Sequence, residues 1–306
     1  MSNWFSGFDK HIAHVNGVDI CYRAGGKVSA KPLLLIHGAP QTHAMWHRVA
    51  QLLKNDFYLV MPDLRGYGDS SHTTGLSDHS NYSKRMMAQD FVQLMTQLGF
   101  GKFDVSGHDR GGRVTHRLCL DHASRVLRAT ILDIAPTLDM YNGTTMAFAT
   151  AYYHWFHLIQ PSPTPEFMIG GNPKAYLHSK LGGWGAKGLS HLEPEAYAEY
   201  ERVFCLPPLQ DGGLMQTVHT ICEDYRASAS IDLEHDKESR AKGEKINCDL
   251  QVLIGGNGVV ERLFKADALW KAQCKGRVET HVLSCGHYIP EELPHETAQL
   301  LMAWHV

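Results

Sequence analysis

The sequence VSGHDRGGRVTHR, residues 105–117, has the pattern of a sharp turn between a buried strand and a helix. It begins with an apolar run, continues through a Gly-x-Asp-x-Gly turn and ends in a helical pattern. Small residues at Gly107, Gly111 and Gly112 allow the chain to turn sharply and to pass close to itself. Asp109, at the apex, is therefore predicted to project from the carboxyl end of a strand. It also begins a helix, whose partial positive charge favours an anion.

Around this turn, seven short apolar runs are predicted to be buried strands. They are residues 17–23, 32–37, 57–61, 103–106, 129–134, 250–254 and 278–283. Helical patterns separate most of them, at residues 45–53, 83–98, 110–122, 262–271 and 291–304. Nearly continuous apolar strands that alternate with helices indicate an α/β fold with a mostly parallel sheet covered on both faces.

The alternation of strands and helices breaks between residues 138 and 248, where aromatic, Pro-rich and Gly-rich pieces follow one another. We predict that residues 138–248 form a helical cap inserted after the strand predicted at residues 129–134. Residues 1–137 and 249–306 then form the core. Within the cap, SIDLEHDKESRAKGEK, residues 230–245, is predicted to be a charged, solvated connector.

The composition of the 306-residue chain excludes several classes of partner. A net charge of −3 gives no broad basic surface for nucleic acid. No apolar run approaches the roughly 18 residues of a membrane span, and the first residues lack a signal-peptide pattern. Seven widely spaced cysteines favour reduced thiols in the cytoplasm, and the twenty histidines show no zinc-ligand spacing.

Three side chains are candidates for a nucleophile, a base and an orienting acid. Asp109 suits a nucleophile, although aspartate is also a preferred helix N-cap. His287 follows the last predicted strand, and we predict that it is the base. A base histidine needs a carboxylate to orient it. The strand at residues 250–254 is followed by Gly-Gly-Asn-Gly and offers no acid. Asp133, one strand earlier, is therefore predicted to be that carboxylate, with capping of a turn as the alternative.

Two arginines, Arg110 and Arg113, follow the candidate nucleophile at a spacing that places them on one helix face. Guanidinium groups bind carboxylates through bidentate, charge-assisted hydrogen bonds. They predict a substrate that is itself an acid, with surface ion pairs as the alternative. The His-Gly turn before Ala39 predicts an oxyanion hole made by the backbone N–H groups of Ala39 and Arg110. No Gly-x-Ser-x-Gly motif is present, which disfavours serine-dependent hydrolysis.

Taken together, the motifs resemble those of the α/β-hydrolase dehalogenases, specifically the fluoroacetate dehalogenases. The motifs are HGAPQTHAMW, DLRGYGDS, GHDRGGRVTHRLCLDH, LDIAPT, YYHWF, YRASASIDLEHD and GHYIPEELP. They run in order over nearly the whole chain. The Gly-His-Asp piece is shared with haloalkane dehalogenases and epoxide hydrolases, whereas Asp-Arg-Gly-Gly-Arg together with His-Trp in the cap is much more specific.

The resemblance implies hydrolytic dehalogenation of small 2-haloacids such as fluoroacetate and chloroacetate. It implies the same roles for Asp109, His287 and Asp133, and a substrate-carboxylate clamp made by Arg110 and Arg113. The haloacid would form an ester with the Asp109 carboxylate, and water activated by the base would then release the 2-hydroxyacid and the halide ion.

The resemblance further implies a halide pocket made by His154, Trp155 and Tyr225, although aromatic residues in a cap more often serve packing. It implies a homodimer that needs no cofactor. One departure concerns Ala39, because the family usually has an aromatic residue at this position. The size of the acceptable substrate therefore stays open.

Two rival functions remain. An epoxide hydrolase shares the Asp-His-acid set and uses two cap tyrosines, for which Tyr225 with Tyr152 or Tyr153 are candidates. A non-catalytic receptor on the same fold is disfavoured, because a receptor has no need of a complete nucleophile, base and acid.

Overall fold

The computed structural model describes residues 4–208 and 213–306. An eight-stranded sheet has the order β1-β2-β4-β3-β5-β6-β7-β8. The strands are β1 (Phe8–Val15), β2 (Val18–Gly26), β3 (Pro32–Ile36), β4 (Tyr58–Pro62), β5 (Phe103–His108), β6 (Val126–Leu132), β7 (Asp249–Gly255) and β8 (Val278–Leu283). The β1–β2 and β2–β4 pairs are antiparallel, and the other five pairs are parallel. This mostly parallel sheet confirms the predicted fold class.

Helices cover the sheet and fill the interval between β6 and β7. Those of the first part are α1 (His47–Leu53), α2 (Lys84–Gln97) and α3 (Arg110–Asp121). Those between β6 and β7 are α4 (Thr137–Asn142), α5 (Met146–Ala151), α6 (Tyr153–His157), α7 (Thr164–Gly170), α8 (Pro173–Leu181), α9 (Pro194–Phe204), α10 (Gln216–Ala229) and α11 (Ile231–Ala241). Those that follow are α12 (Val259–Leu263), α13 (Ala266–Gln273), α14 (Ile289–Glu292) and α15 (Pro294–His305).

The core lies around the central parallel strands because their side chains are apolar on both faces. All six residues of β5 are buried, as are the last four of β3 and of β4. Helix α3 packs on β5 and β6, and α2 packs on α3. This packing holds the carboxyl ends of the parallel strands at one rim of the sheet, where ligands bind in open α/β sheets.

Three sequence-based expectations about the elements are wrong or incomplete. The expected helix at residues 262–271 is two short helices, α12 and α13, because Phe264 has an extended backbone. The expected helix at residues 291–304 is likewise divided into α14 and α15 at Leu293, which precedes Pro294, and a residue before proline avoids the helical region. Strand β1 lacks a predicted counterpart, since only three of its eight residues are buried.

The predicted solvated connector at residues 230–245 is also wrong. Most of it is helix α11, and Asp232, Asp236 and Ser239 on that helix are buried. Asp236 accepts a hydrogen bond from Arg117 of α3 at 2.6 Å, which compensates its charge inside the protein. The division into a core and a cap at residues 138 and 248 stays a prediction. Across the described ranges, no helix has the length and apolarity needed to cross a membrane.

Candidate active site

The turn between β5 and α3 places Asp109 at the rim of the sheet in a strained conformation. Its φ of 47° lies in a region that few non-glycine residues adopt. A Cβ added at Gly107 would lie 2.3 Å from the Gly111 oxygen, and one at Gly111 would lie 2.4 Å from the His37 oxygen. Only glycine allows this close approach, so the sequence forces the bend.

Asp109 is buried at this bend, and its carboxylate already has a backbone partner. The Ala39 N–H donates to Asp109 Oδ1 at 3.1 Å. This is one of the two donors predicted for the oxyanion hole. The other is the Arg110 N–H, which makes no hydrogen bond to this carboxylate within the described chain. One predicted donor therefore points at the reacting group in the present state of the site.

His287 and Asp133 meet Asp109 from the loops after β8 and β6. The His287 Nδ1 lies 2.6 Å from Asp133 Oδ2, and its Nε2 lies 3.9 Å from Asp109 Oδ2. The Gly255 N–H donates to the second Asp133 oxygen at 3.0 Å. His108 Nε2 lies 2.8 Å from the His287 carbonyl oxygen and holds that loop. The structure therefore brings the three predicted residues together in the order acid, histidine, carboxylate.

The electrostatics of this triad keep Asp109 ionised. Burial alone would raise the pKa of Asp109, but the charges of His287 and Arg110 outweigh it and lower that pKa to about 2. For His287 the directions are reversed. Burial alone would lower its pKa, but the hydrogen bond and the charge of Asp133 raise it. Asp109 is therefore an anion that can act as a nucleophile, and the raised pKa makes the neutral form of His287 a stronger proton acceptor.

Arg110 is buried and already paired. Its Nε donates to Asp224 Oδ2 at 2.9 Å and its Nη2 to Asp224 Oδ1 at 2.5 Å. The same Asp224 forms a buried ion pair with Lys84 and accepts from the Tyr67 hydroxyl at 2.6 Å. The Nη2 of Arg110 also donates to Ser228 of α10. This guanidinium thus links α3 to α10 rather than lying free in the site.

Arg113 is buried as well, but it has no carboxylate partner among the described residues. Its Nη1 donates to Thr137 Oγ1 at 2.8 Å and to the Ala135 oxygen at 3.3 Å. Its Nε is buried without any hydrogen-bond partner. Burial and the charge of Arg110 lower its pKa. The charge of Asp109 acts on this buried cation without forming an ion pair, so a bound anion would stabilise it further.

The three residues predicted for the halide pocket lie next to these arginines. The Arg110 guanidinium lies 4.2 Å from the centre of the Tyr225 ring, and that of Arg113 lies 4.6 Å from the Trp155 ring. The His154 ring is 5.7 Å from that of Tyr225, and its Nδ1 is buried without a partner. Burial lowers the pKa of His154 well below its usual value, so its ring is neutral.

Neither the Trp155 indole N–H nor the Tyr225 hydroxyl donates a hydrogen bond to any residue that the structure describes. Two polar donors of buried side chains therefore stay available at this site. Nor does any cluster of three or more His, Cys, Asp and Glu side chains in the described ranges have the arrangement to hold a metal ion.

Two residues of the site escaped the sequence argument. Trp184 has a φ of 54°, and its ring lies 4.7 Å from that of His154 and 5.4 Å from that of His287. Its carbonyl accepts from the His287 N–H at 3.2 Å. The signal was a bulky residue inside a glycine-rich run. Asp224, which holds Arg110, stands directly before Tyr225 but is separated from Arg110 by more than a hundred residues.

The chain matches the alpha/beta hydrolase fold family over residues 31–202, more than half of its length, and it belongs to that family. It is 40% identical to a fluoroacetate dehalogenase from Burkholderia sp. over 297 residues, which are 97% of this chain and 93% of that one. The predicted resemblance to the fluoroacetate dehalogenases and the prediction of a hydrolase are thereby confirmed.

Two further relatives cover almost the same length. The chain is 30% identical to a soluble epoxide hydrolase from Corynebacterium sp. (strain C12) over 300 residues, or 93% of this chain and 92% of that one. A solved structure of a provisionally assigned alpha/beta hydrolase from Nostoc sp. PCC 7120 superposes with a TM-score of 0.92 at 48% identity and 98% coverage of both chains.

Proposed function

We propose that this protein hydrolyses the carbon–halogen bond of small 2-haloacids such as fluoroacetate and chloroacetate. The observation that carries the proposal is Arg113, a buried cation beside the candidate nucleophile with no carboxylate partner among the described residues. A substrate carboxylate would supply the missing charge. The 40% identity to a fluoroacetate dehalogenase supports this choice of substrate class.

In the proposed first step, an oxygen of Asp109 attacks the carbon that bears the halogen. A carbon–oxygen bond forms, the carbon–halogen bond breaks, and the halide leaves with the bonding electron pair. Two carboxylates must approach each other for this step, and in a weakly screened pocket they repel by several kcal/mol, to order of magnitude. Arg113 offsets that repulsion and aims the substrate, whereas Arg110 has most of its charge already compensated by Asp224.

In the proposed second step, His287 Nε2 accepts a proton from water, and the hydroxide attacks the carbonyl carbon of the Asp109 ester. The tetrahedral oxyanion is stabilised by the backbone N–H groups of Ala39 and Arg110, each of which contributes on the order of 3 kcal/mol. The intermediate collapses, the original Asp109 oxygen leaves with the 2-hydroxyacid, and one proton reaches solvent. Asp133 holds the histidine ring in the required tautomer.

The departing halide needs donors that replace its water shell. We assign that role to the N–H groups of His154 and Trp155 and to the hydroxyl of Tyr225. Neutral His154 suits it, because the ring donates a hydrogen bond without a second charge. We also propose that residues 138–248 form a cap domain over the rim, since all three side chains lie between β6 and β7.

The proposal extends to the setting of the enzyme. We infer a cytoplasmic protein, because all seven cysteines are free thiols. We infer a homodimer without a cofactor from the resemblance to the fluoroacetate dehalogenases alone. Neither inference changes the chemistry assigned to the site.

Epoxide hydrolysis is the second candidate, and one observation favours it. Tyr152 and Tyr225 are both buried, and burial, with the charge of Asp109 adding to it, raises the pKa of each hydroxyl, so both stay protonated and can act as hydrogen-bond donors. They could donate to an epoxide oxygen while Asp109 attacks. Tyr153, the other candidate, is half-exposed and lies over Lys180. An epoxide has no carboxylate, however, and would leave Arg113 uncompensated.

The deciding experiment measures fluoride and chloride release from a panel of 2-haloacids, with styrene oxide as the competing substrate. We expect halide release from the acids. Turnover of the epoxide alone would replace the proposal with the second candidate. Haloacid binding without halide release over a long incubation would indicate a receptor.

The covalent route is tested by a single turnover in heavy-oxygen water. The hydroxyacid from the first cycle should carry the light isotope, because its oxygen comes from Asp109. Heavy oxygen in that first product would mean that water attacks the carbon directly.

A further inference from the structure

Lys180, near the end of α8, is a buried cation that the proposed mechanism does not use. Its side chain is only 6% exposed. The Nζ lies 3.9 Å from the centre of the Tyr153 ring, 5.1 Å from that of Tyr176 and 5.4 Å from that of Trp184. It forms no ion pair with any aspartate or glutamate in the described ranges. The faces of three aromatic rings are its polar surroundings on the protein side.

This aromatic cage borders a small cavity beside the candidate active site. The cavity has a volume of about 20 Å³. Its wall includes Lys180, Trp184, Ala39, His154 and Tyr225. A volume of this size holds roughly one water-sized particle. The backbone around Lys180 is fixed, since the Tyr288 hydroxyl, next to His287, donates to the Lys180 carbonyl oxygen at 2.9 Å.

We propose that this cavity is a second anion site, in which the Lys180 ammonium takes up the halide ion after the ion leaves the pocket of His154, Trp155 and Tyr225. The source of the halide rests on the proposed function, whereas the site itself does not. His154 and Tyr225 line both spaces, so the ion passes from neutral donors to a cation over a short distance. A monovalent halide fits the volume, and a haloacid, with several heavy atoms, does not.

The charge of Lys180 makes this site sensitive to pH. Burial lowers the pKa of Lys180 to about 8. The titratable groups that face it are Tyr153, His154 and His157 of α6, Tyr176 of α8, Tyr225 of α10 and Tyr288, and none of them is a carboxylate. Lys180 is charged below its pKa, so halide affinity is present at neutral pH and declines as the pH rises through about 8.

The first test compares Lys180→Met with Lys187→Met, an exposed lysine seven residues further on. The dissociation constants of chloride and bromide are measured through tryptophan fluorescence, for which Trp184 is a reporter, at pH 6.5 and pH 9.5. We expect on the order of tenfold weaker binding at pH 6.5 in Lys180→Met, the size of one charge-assisted contact. Lys187→Met should bind as the wild type does and should keep the pH dependence.

The second test uses wild-type crystals soaked in bromide, so that it does not depend on a variant that folds. Two anomalous peaks are expected, one at the proposed halide pocket and one within contact distance of Lys180 Nζ. Absence of the second peak, or equal halide affinity in both variants at both pH values, would overturn the site while haloacid turnover stands. A second peak in a protein that releases no halide from any haloacid would keep the site and remove the proposed function.

Discussion

Arg110 and Arg113 lie one helical turn apart on α3, and their surroundings differ in kind. Arg110 shares Asp224 with Lys84 and Tyr67, so its guanidinium has a carboxylate partner within the fold. Arg113 donates to a hydroxyl, a carbonyl and a thioether and lies over the Trp155 ring, but no carboxylate of the described chain pairs with it, and its Nε has no hydrogen-bond partner. Two identical side chains at the same strained turn therefore divide the work. One links α3 to α10, and the other is the one that we propose to bind the substrate carboxylate.

This contrast teaches that charge type and spacing alone do not define a binding residue. A buried cation with a partner contributes to the fold, since losing either member leaves the other uncompensated. A buried cation without a partner is costly to the fold and is retained where a ligand completes it. The predictions below separate the two cases.

The largest effect is expected from His287→Asn, which isolates the step in which the arginines act. Turnover of haloacids should fall by at least about a thousandfold, because ester hydrolysis loses its base. Alkylation should persist, and mass spectrometry should find the substrate mass on the peptide that holds Asp109. An unmodified peptide in a folded variant would contradict the covalent route.

Removal of the paired arginine should lower the stability of the fold more than removal of the unpaired one. Arg110→Met removes two charge-assisted hydrogen bonds from Asp224, which keeps only Lys84 and Tyr67, and the free energy of unfolding should fall by about 3 kcal/mol. Urea titration measures it. Arg117→Met is the matched control, because Arg117 is buried on the same helix and paired with Asp236 at 2.6 Å. The Arg117→Met variant should lose a similar free energy of unfolding, and its activity per folded molecule should be unchanged.

Removal of the unpaired arginine should lower activity and leave stability nearly unchanged. Arg113→Met should lower kcat/KM for haloacids roughly 30-fold. This corresponds to a loss of about 2 kcal/mol of transition-state stabilisation, as for a lost charge-assisted contact. The free energy of unfolding should stay the same or rise, because a buried uncompensated charge is removed. Arg113→Lys keeps the positive charge but loses the two-pronged guanidinium, so its kcat/KM should lie between those of the wild type and Arg113→Met. Normal kinetics in Arg113→Met would remove this residue from the site and end the contrast.

A double variant tests whether Asp224 is the partner through which Arg110 stabilises the fold. Arg110→Met combined with Asp224→Asn removes both members of the ion pair, and Lys84 retains Asp232, 3.7 Å from its Nζ. About 1 kcal/mol of the stability lost in the single Arg110→Met variant should return. A further loss instead would mean that Asp224 is held mainly by Lys84 and Tyr67, and that Arg110 is not the partner that matters.

The smallest effect concerns pH. His287 must be neutral to accept a proton, and Asp133 raises its pKa above the ordinary 6.5. Activity should therefore rise with pH along a limb whose midpoint lies above 6.5, with a slope of at most tenfold per pH unit. Asp109, with a pKa of about 2, should contribute nothing to that limb. Asp133→Asn should move the midpoint down among the molecules that remain active.

The turn around Asp109 was predictable because its chemistry is local. The backbone at positions 107 and 111 leaves no room for a Cβ, so the glycines in the sequence indicate the bend directly. Asp133 could be found by elimination, since Gly-Gly-Asn-Gly follows β7. The strands β2 to β8 were predictable because apolar runs between turn residues are also local signals.

The features that the sequence did not predict depend on contacts between segments that are distant along the chain. Helix α11 carries the composition of a solvated connector, and only its pairing with Arg117 and Lys84 shows why its carboxylates are buried. The pairing of Arg110 with Asp224 joins positions 114 residues apart and has no sequence signature. Strand β1 is an edge strand with few buried residues, so its pattern is weak.

The bridge from Arg110 to α10 also constrains how molecules enter and leave. Lifting α10 from the sheet would separate a guanidinium, a carboxylate and an ammonium at once, at a cost of several kcal/mol. Entry of substrate and exit of product should then depend on rotations of single side chains rather than on the opening of a hinged lid.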